Sequence, residues 1–212
     1  MQARFERIKA KLYGYLAEPR QVMTVYPPTD TSVPARYARA YAYHRDALVD
    51  EALAEAEALL AIAPADPYFL EIKGQILLES GRPGDALPPL RQATELTRAS
   101  PLIATLFGHA LIATEDAGNF AEAERVLKAA IARDRLNPFA WSQLGRVYAA
   151  RGDMPRARLA SAEQQAMHRQ WDQALYSAQS AEAELPQGTP DWLRAQDIRM
   201  QARAEIERAR DR

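Results

Sequence analysis

Residues 137–159, NPFAWSQLGRVYAARGDMPRARL, decide the fold of this 212-residue chain. Trp141, Leu144 and Tyr148 recur at helical spacing, and the breakers at 152–155 separate them from a second helical segment. The rest of the chain shows the same apolar spacing and no alternation of apolar and polar residues typical of strands. The sequence therefore predicts an all-α protein built from helices of about 12 to 16 residues.

Small residues recur along the chain at one period. One series is Ala40, Gly74, Gly108 and Gly145, at spacings of 34, 34 and 37 residues, and the other is Ala52, Ala86, Ala123 and Ala157, at spacings of 34, 37 and 34 residues. The single longer spacing falls in the turn between Ala113 and Ala121, so we interpret it as a loop insertion. Because two helices that cross closely need small side chains on both sides, we expect the two series to mark helix crossings.

The repeated pattern resembles the tetratricopeptide repeat (TPR), a helix–turn–helix of 34 residues with conserved aromatic, Leu-Gly, Tyr, Gly and Ala positions. The clearest matches are Trp141, Leu144, Gly145, Tyr148, Gly152 and Ala157, followed by Leu70, Gly74, Leu77, Gly81, Ala86, Leu90 and Ala93. The resemblance implies a superhelix of antiparallel helix pairs. We place repeats at about 33–66, 67–100, 101–137 and 138–170, a terminal helix pair at 171–212 that caps the stack, and together these form one domain over 33–212.

An N-terminal segment, 1–32, precedes the repeats. Residues 4–16 predict an amphipathic helix whose apolar face is surrounded by basic residues. That face consists of Phe5, Ile8, Leu12 and Leu16, and the basic residues are Arg4, Arg7, Lys9 and Lys11. Two interpretations remain open: the helix docks on the first repeats or on an upstream domain, or it makes peripheral contact with a membrane. A Pro-rich connector then leads into the first repeat.

Composition excludes several classes of function. The 27 Lys and Arg residues balance the 28 Asp and Glu residues, so the chain has no excess of positive charge to attract nucleic acid. It has no cysteine and no apolar run long enough for a transmembrane segment. The histidines, His44, His109 and His168, lie far apart without a set of carboxylates. We therefore predict no catalytic residue, no metal site and no cofactor in this chain.

The concave face predicted for the repeats suggests a binding site. Counted from the repeat starts, the positions that we expect packing to leave free hold Tyr37, Tyr41, His44, Tyr68, Glu71, Gln75, Thr105, His109, Phe139, Ser142 and Arg146. Such a groove combines aromatic rings with a few polar groups. This combination suits an extended peptide or a helix, because flat rings bury a large area at small entropic cost.

Three segments resemble the C-terminal repeat region of bacterial zinc metalloproteases of the BepA type, which are related to the CAAX-prenyl protease family. They are YPPTDTSVPARYARAYAYHR, NPFAW with GDMPRARLASAE, and LPQGTPDWLRAQDI. In that family an HExxH catalytic domain precedes the repeats, and this sequence contains no HExxH. The resemblance implies that the chain is the C-terminal part of an exported protease, in the periplasm or envelope, whose zinc lies in a catalytic domain that this chain lacks.

Two functions therefore remain open at this stage. The first is a non-catalytic interaction domain that recruits substrates or partners to a zinc metalloprotease, or that binds the protease domain itself. The alternative is a free-standing TPR adaptor or scaffold in the cytoplasm. In both, the partner is a protein or peptide held in the concave groove.

Overall fold

A computed structural model describes residues 2–211 of the chain, and its side chains from Phe5 onward. Within residues 2–211 all regular structure is helical. The α-helices are α1 (Gln2–Leu16), α2 (Pro19–Val25), α3 (Val33–Arg45), α4 (Val49–Ile62), α5 (Pro67–Glu79), α6 (Pro83–Leu96), α7 (Pro101–Ala113), α8 (Phe120–Arg133), α9 (Pro138–Ala150), α10 (Met154–Met167), α11 (Trp171–Glu184) and α12 (Pro190–Arg210). The three-residue insertion forms a short 3₁₀ helix, Ala117–Asn119, before α8.

The chain divides into two compact units. The N-terminal unit extends to Arg98 and contains α1 to α6, and the C-terminal unit begins at Ala99 and contains α7 to α12. Consecutive helices joined by short turns pack as pairs, namely α3 with α4, α5 with α6, α7 with α8, α9 with α10, and α11 with α12, and α10 packs equally closely against α11. This pairing is the basic element of a helical repeat.

Several helices begin with the same local signal, a capping side chain followed by proline. Asp66 accepts a hydrogen bond from the backbone N–H of Tyr68 at the start of α5, and Asn137 accepts one from Ala140 at the start of α9. In each case the next residue is proline, which is favoured in the first helical turn because it lacks an N–H that would need a partner. These short signals explain why the helices start where the sequence places its breakers.

The small residues of the first series do mark close helix crossings, but their partners differ from those we expected. A Cβ atom added at Gly74 would lie 2.4 Å from Cγ of Leu90, and one added at Gly108 would lie 2.6 Å from Cγ of Leu127. At these two crossings a glycine receives a leucine, so the expectation of small side chains on both sides is wrong. At Gly145 it holds, because the nearest side-chain atom is Cβ of Ala160, at 3.3 Å.

The terminal pair packs through alanines. Ala174, Ala178 and Ala181 of α11 are fully buried against Ile198 of α12 and its neighbouring alanines. The small side chains let the two helices approach closely along their length. Helix α12 is 21 residues long, which exceeds the length that we expected for any helix.

The segment 1–32 contains a helix that sequence analysis missed. We expected one helix and a connector, whereas α2 occupies residues 19–25 before the Pro-rich stretch. The side chain of Val22 is fully buried and holds this short helix in place. The connector is held by the buried guanidinium group of Arg39, which donates to the carbonyls of Pro27 and Asp30, both at 2.8 Å, and to the carboxylate of Glu55 at 2.6 Å.

Several helices end with a residue in the left-handed region. Gly81 follows α5 with φ 79° and Gly152 follows α9 with φ 78°, and glycine adopts this conformation without strain. Ala47 takes the same position after α3 with φ 57°, and Arg169 takes it after α10 with φ 57°. A side chain with a Cβ atom is strained there, so these two turns are less stable than the glycine turns.

Replacing Ala47 with Gly should raise the free energy of unfolding by about 1 kcal/mol, because the left-handed conformation costs a non-glycine residue about 1 to 2 kcal/mol and the more flexible unfolded chain offsets part of the gain. Urea unfolding followed by circular dichroism measures the change. The matched control is Gly81→Ala, which should lower the same free energy by a similar amount. A destabilised Ala47→Gly chain would contradict the assignment of strain.

Candidate functional site

Helix α1 lies directly on α3, on the surface where we predicted the binding groove of the first repeats. The two helices are so close at Gly14 that an added Cβ atom would lie 2.4 Å from the carbonyl oxygen of Ala38. Ala10 is fully buried beside this contact, in a small cluster with Ala38 and Ala42. Helix α1 therefore docks on the first repeat through its small residues. Docking on the first repeats is one of the interpretations that the sequence left open for this helix.

Two basic residues one turn apart on α1 form ion pairs with the start of α5. Arg7 Nη1 donates to Oδ2 of Asp66 at 2.5 Å, and Nζ of Lys11 lies 3.3 Å from Oε2 of Glu71. The side chains of the two acids are only 18% and 12% exposed. Each carboxylate therefore faces a cation of α1 at a position that is largely shielded from water while α1 is docked.

The same two cations lie over aromatic rings of α3 and α5. The guanidinium carbon of Arg7 is 4.9 Å from the ring centroid of Tyr68 and 5.6 Å from that of Phe69. Nζ of Lys11 is 5.4 Å from the ring centroid of Tyr41. Each cation–π contact contributes about 0.5 to 2 kcal/mol, depending on how much water it excludes. The surface thus recognises the basic residues of α1 twice, by carboxylates and by ring faces.

The C-terminal end of α1 has its own anchor. Arg45, in the last turn of α3, donates from Nη1 to the carbonyl oxygen of Ala17 at 2.5 Å. The last carbonyls of a helix have no partner within the helix and carry partial negative charge, so a cation there is favourable. The ring of Tyr15 also packs edge-on against Tyr41, with 6.3 Å between the centroids.

Two of the predicted groove residues, Tyr37 and Tyr41, are buried. They are 1% and 2% exposed and pack in one core cluster with Phe69. The expectation that packing leaves these positions free is wrong, because α1 covers them from one side and the core of the first two repeats from the other. Burial raises the pKa of the Tyr37 hydroxyl and that of the Tyr41 hydroxyl. The Tyr41 hydroxyl has no hydrogen-bond partner among the described residues.

The other predicted residues of the N-terminal unit lie on α3 and α5 beside this core. Tyr68 is half-buried under Arg7, and Glu71 is nearly buried under Lys11. His44 and Gln75 both bind Glu79, the first through Nε2 at 2.7 Å and the second through Nε2 at 2.9 Å. The structure therefore brings all the predicted positions of this unit onto one surface, which we call the α3–α5 surface and define as Tyr37, Tyr41, His44, Asp66, Tyr68, Phe69, Glu71 and Gln75.

Two of the predicted residues of the C-terminal unit are in contact with each other. The rings of His109 on α7 and Phe139 on α9 meet edge to face, with 5.4 Å between centroids. Phe139 is 46% exposed, and Arg146 is exposed and donates to Oε1 of Gln143 at 3.1 Å. No other helix is docked on these residues in the described part of the unit in the way that α1 is docked on the α3–α5 surface.

The C-terminal unit also contains a cleft of about 320 Å³ between α8, α9, α10 and α12. Its apolar floor is bordered by Glu163, which is 1% exposed and accepts hydrogen bonds from Arg194 at 2.5 and 2.7 Å. Arg156, at the rim, pairs with Asp153 and Asp191. The charges of this cleft are therefore paired among the repeat and terminal helices, whereas Asp66 and Glu71 pair with α1, which precedes the repeats.

The predicted apolar face of α1 points away from the domain. Phe5, Ile8, Leu12 and Leu16 are between 48% and 71% exposed. Arg4, which we counted among the surrounding basic residues, has a side chain outside the described part of the chain. Helix α1 is thus two-sided, with small residues, Arg7 and Lys11 toward the repeats, and with Lys9 and the apolar residues outward.

The described residues include no group of three or more His, Asp or Glu side chains that could hold a metal ion. Within residues 2–211 no helix combines the length and the apolar character needed to cross a bilayer.

Sequence analysis named Arg7 and Lys11 only as basic residues around the apolar face of α1, and it missed Gly14, Asp66 and Phe69. One signal was present. Arg7 and Lys11 stand one helical turn apart, and Gly14 follows on the same side of the helix, opposite the apolar face. Two acids at a comparable spacing, Asp66 and Glu71, begin α5. Nothing in the sequence pairs these two sets, which lie about 60 positions apart, as the separations of 59 and 60 show.

The chain matches no protein-family model and no curated protein, but it is similar to several solved structures. YrrB, a TPR protein with an unusual peptide-binding site, is 20% identical with a TM-score of 0.63, over 82% of this chain and 90% of that one. MamA from Desulfovibrio magneticus RS-1 is 17% identical with a TM-score of 0.64, over 80% and 97%. Another MamA structure is 20% identical with a TM-score of 0.58, over 82% and 97%. The chain has the fold of the tetratricopeptide-repeat proteins. Nothing in these comparisons links it to the BepA-type metalloproteases.

Replacing Gly14 with Leu should detach α1 from α3, because the new side chain would collide with backbone atoms of Ala38 that cannot move aside. Overpacking of this kind costs about 1 to 3 kcal/mol, so we expect trypsin to cleave after Lys9 and Lys11 about tenfold faster or more. Mass spectrometry of the released fragments measures the rate.

The matched control is Gly84→Leu in α6, where an added Cβ atom meets nothing within 4 Å. This variant should be cleaved in α1 at the wild-type rate. Equal rates for the two leucine variants would contradict the close contact between α1 and α3.

Proposed function

We propose that this chain is a non-catalytic protein-interaction module, an adaptor of the TPR type, and that it holds a segment of a partner protein on the α3–α5 surface. The observation that supports this most is that the surface already holds a helix, α1, by ion pairs and cation–π contacts. A surface that packs one helix through specific side-chain contacts has the shape and the charge to bind another.

The solved structures that resemble the chain support the same class of function. YrrB is a TPR protein with a peptide-binding site, and its fold covers most of this chain. Peptide binding by helical repeats uses side chains on a rigid scaffold, with no need for a nucleophile or a metal. We extend this mode of binding to the present chain as a proposal.

The first function from the sequence, the recruiting arm of an exported zinc metalloprotease, rests on the resemblance of three segments alone. The free-standing adaptor accounts for the TPR fold equally well and requires no further domain. An immunoblot of fractionated source cells separates the two. The adaptor predicts a cytoplasmic band near 23.7 kDa, and the protease arm predicts a much larger band in the periplasm or envelope.

Selection of a displayed library of random peptides on the full Gly14→Leu chain, in which α1 no longer covers the surface, tests the proposed function. We expect enriched peptides whose affinity falls about tenfold or more when Glu71→Gln is added, because loss of a charged partner costs about 1.5 to 3 kcal/mol.

The matched control is Glu95→Gln, an exposed acid on α6, which should leave the affinities unchanged. A library that yields no binders, or binders that tolerate Glu71→Gln as well as Glu95→Gln, would count against the α3–α5 surface as the binding site.

A further inference from the structure

We propose that the partner segment is a basic helix that resembles the inward face of α1, and that it competes with α1 for the α3–α5 surface. This inference rests on the proposed function and names its ligand. Residues 7–14, RIKAKLYG, define the pattern. The basic residues Arg7 and Lys11 lie one helical turn apart, and the small residues Ala10 and Gly14 also lie one turn apart, the second beyond Lys11.

The charge of the surface selects a basic ligand. Asp66 and Glu71 keep 18% and 12% of their side chains exposed while α1 is bound. If α1 leaves, each of these carboxylates loses the cation that it faces. A ligand that returns two cations at the same spacing removes this cost, whereas a neutral or acidic helix does not.

The aromatic rings reinforce this selection. Tyr68 and Phe69 present their faces to the guanidinium group of Arg7, and Tyr41 presents its face to the ammonium group of Lys11. A ring face attracts a cation and offers nothing equivalent to an anion. At the positions of Arg7 and Lys11, a carboxylate and an aromatic ring face thus both favour a positively charged side chain.

The shape of the surface selects small residues between the cations and beyond them. Ala10 of α1 is fully buried, and a Cβ atom at position 14 would lie 2.4 Å from a backbone oxygen of α3. A ligand helix with a larger residue than glycine at the second position could not approach closely enough for its basic residues to reach Asp66 and Glu71. Small residues are therefore part of the recognition pattern.

Helix α1 makes the surface conditional. While it is bound, a partner reaches the surface only in the fraction of molecules from which α1 has left, and the apparent affinity falls by that fraction. The outward face of α1 is apolar and largely exposed at Phe5 and Leu12, so the contacts that a competing helix has to replace lie mainly on the inward face. The competition is therefore confined to the inward face.

A peptide of residues 5–17, FERIKAKLYGYLA, labelled with a fluorophore, tests this inference by fluorescence anisotropy against full-length variants. We expect it to bind the Gly14→Leu chain at least about tenfold more tightly than the Gly84→Leu chain, in which α1 still covers the surface. A Lys11→Glu peptide should bind the Gly14→Leu chain at least about tenfold more weakly, because it places an anion against Glu71.

A charge swap separates recognition from a general loss of structure. The Lys11→Glu peptide should regain affinity for a Gly14→Leu chain that also carries Glu71→Lys, which restores the pair with the charges exchanged. Equal binding of the 5–17 peptide to both leucine variants, indifference to Lys11→Glu, or no recovery in the swap would each overturn the inference.

The two proposals can fail separately. If the library yields peptides that depend on Glu71 and the 5–17 peptide does not bind, the interaction function stands and the basic-helix ligand is wrong. If the library yields nothing that depends on Glu71, the proposed function itself is wrong at this surface.

Discussion

The docking of α1 on the N-terminal unit depends on ion pairs with two largely buried carboxylates, those of Asp66 and Glu71. They lie at the start of α5, beside aromatic rings that fill the core between the first two repeats. Anions in such a position are destabilising unless cations compensate them. Helix α1 supplies a cation to each carboxylate, and Gly14 allows the close approach to α3 at which these pairs form.

The same docking divides α1 into two faces with different roles. Amphipathic helices of soluble proteins usually turn their apolar face to the core. In α1 the apolar face is exposed, and the contacts to the repeats come from alanine, glycine and basic residues and from the ring of Tyr15. A competing helix with basic residues at the same spacing can form these ion pairs in place of α1. A helix held in this way is firmly placed but replaceable, which suits a surface that exchanges one helix for another.

The repeat pattern was enough to predict the all-α TPR fold, because aromatic and small residues at a period near 34 leave few alternatives. Finer features were not predictable. The glycines at 81 and 152 predict left-handed turns from the sequence. Ala47 and Arg169 adopt the same backbone conformation, but nothing in the sequence predicts it there. The partner of Gly74 is Leu90 and not an alanine, since a glycine makes room for a larger side chain as well as for a small one. The short helix α2 depends on the burial of Val22, a tertiary contact.

The candidate surface was predicted in outline from α3 and α5, but its occupant was not, because Arg7 and Asp66 are separated by 59 positions.

Hydrogen exchange of the wild-type chain, resolved to residues 5–17 by mass spectrometry, tests the docking of α1 most directly. An isolated helix of this length is marginal in water and exchanges rapidly. If α1 is docked, its amides should exchange much more slowly in the wild-type chain than in the isolated 5–17 peptide. In the Gly14→Leu chain the exchange of the same amides should be faster than in the wild-type chain. Equally fast exchange in the wild-type chain and in the peptide would contradict the account.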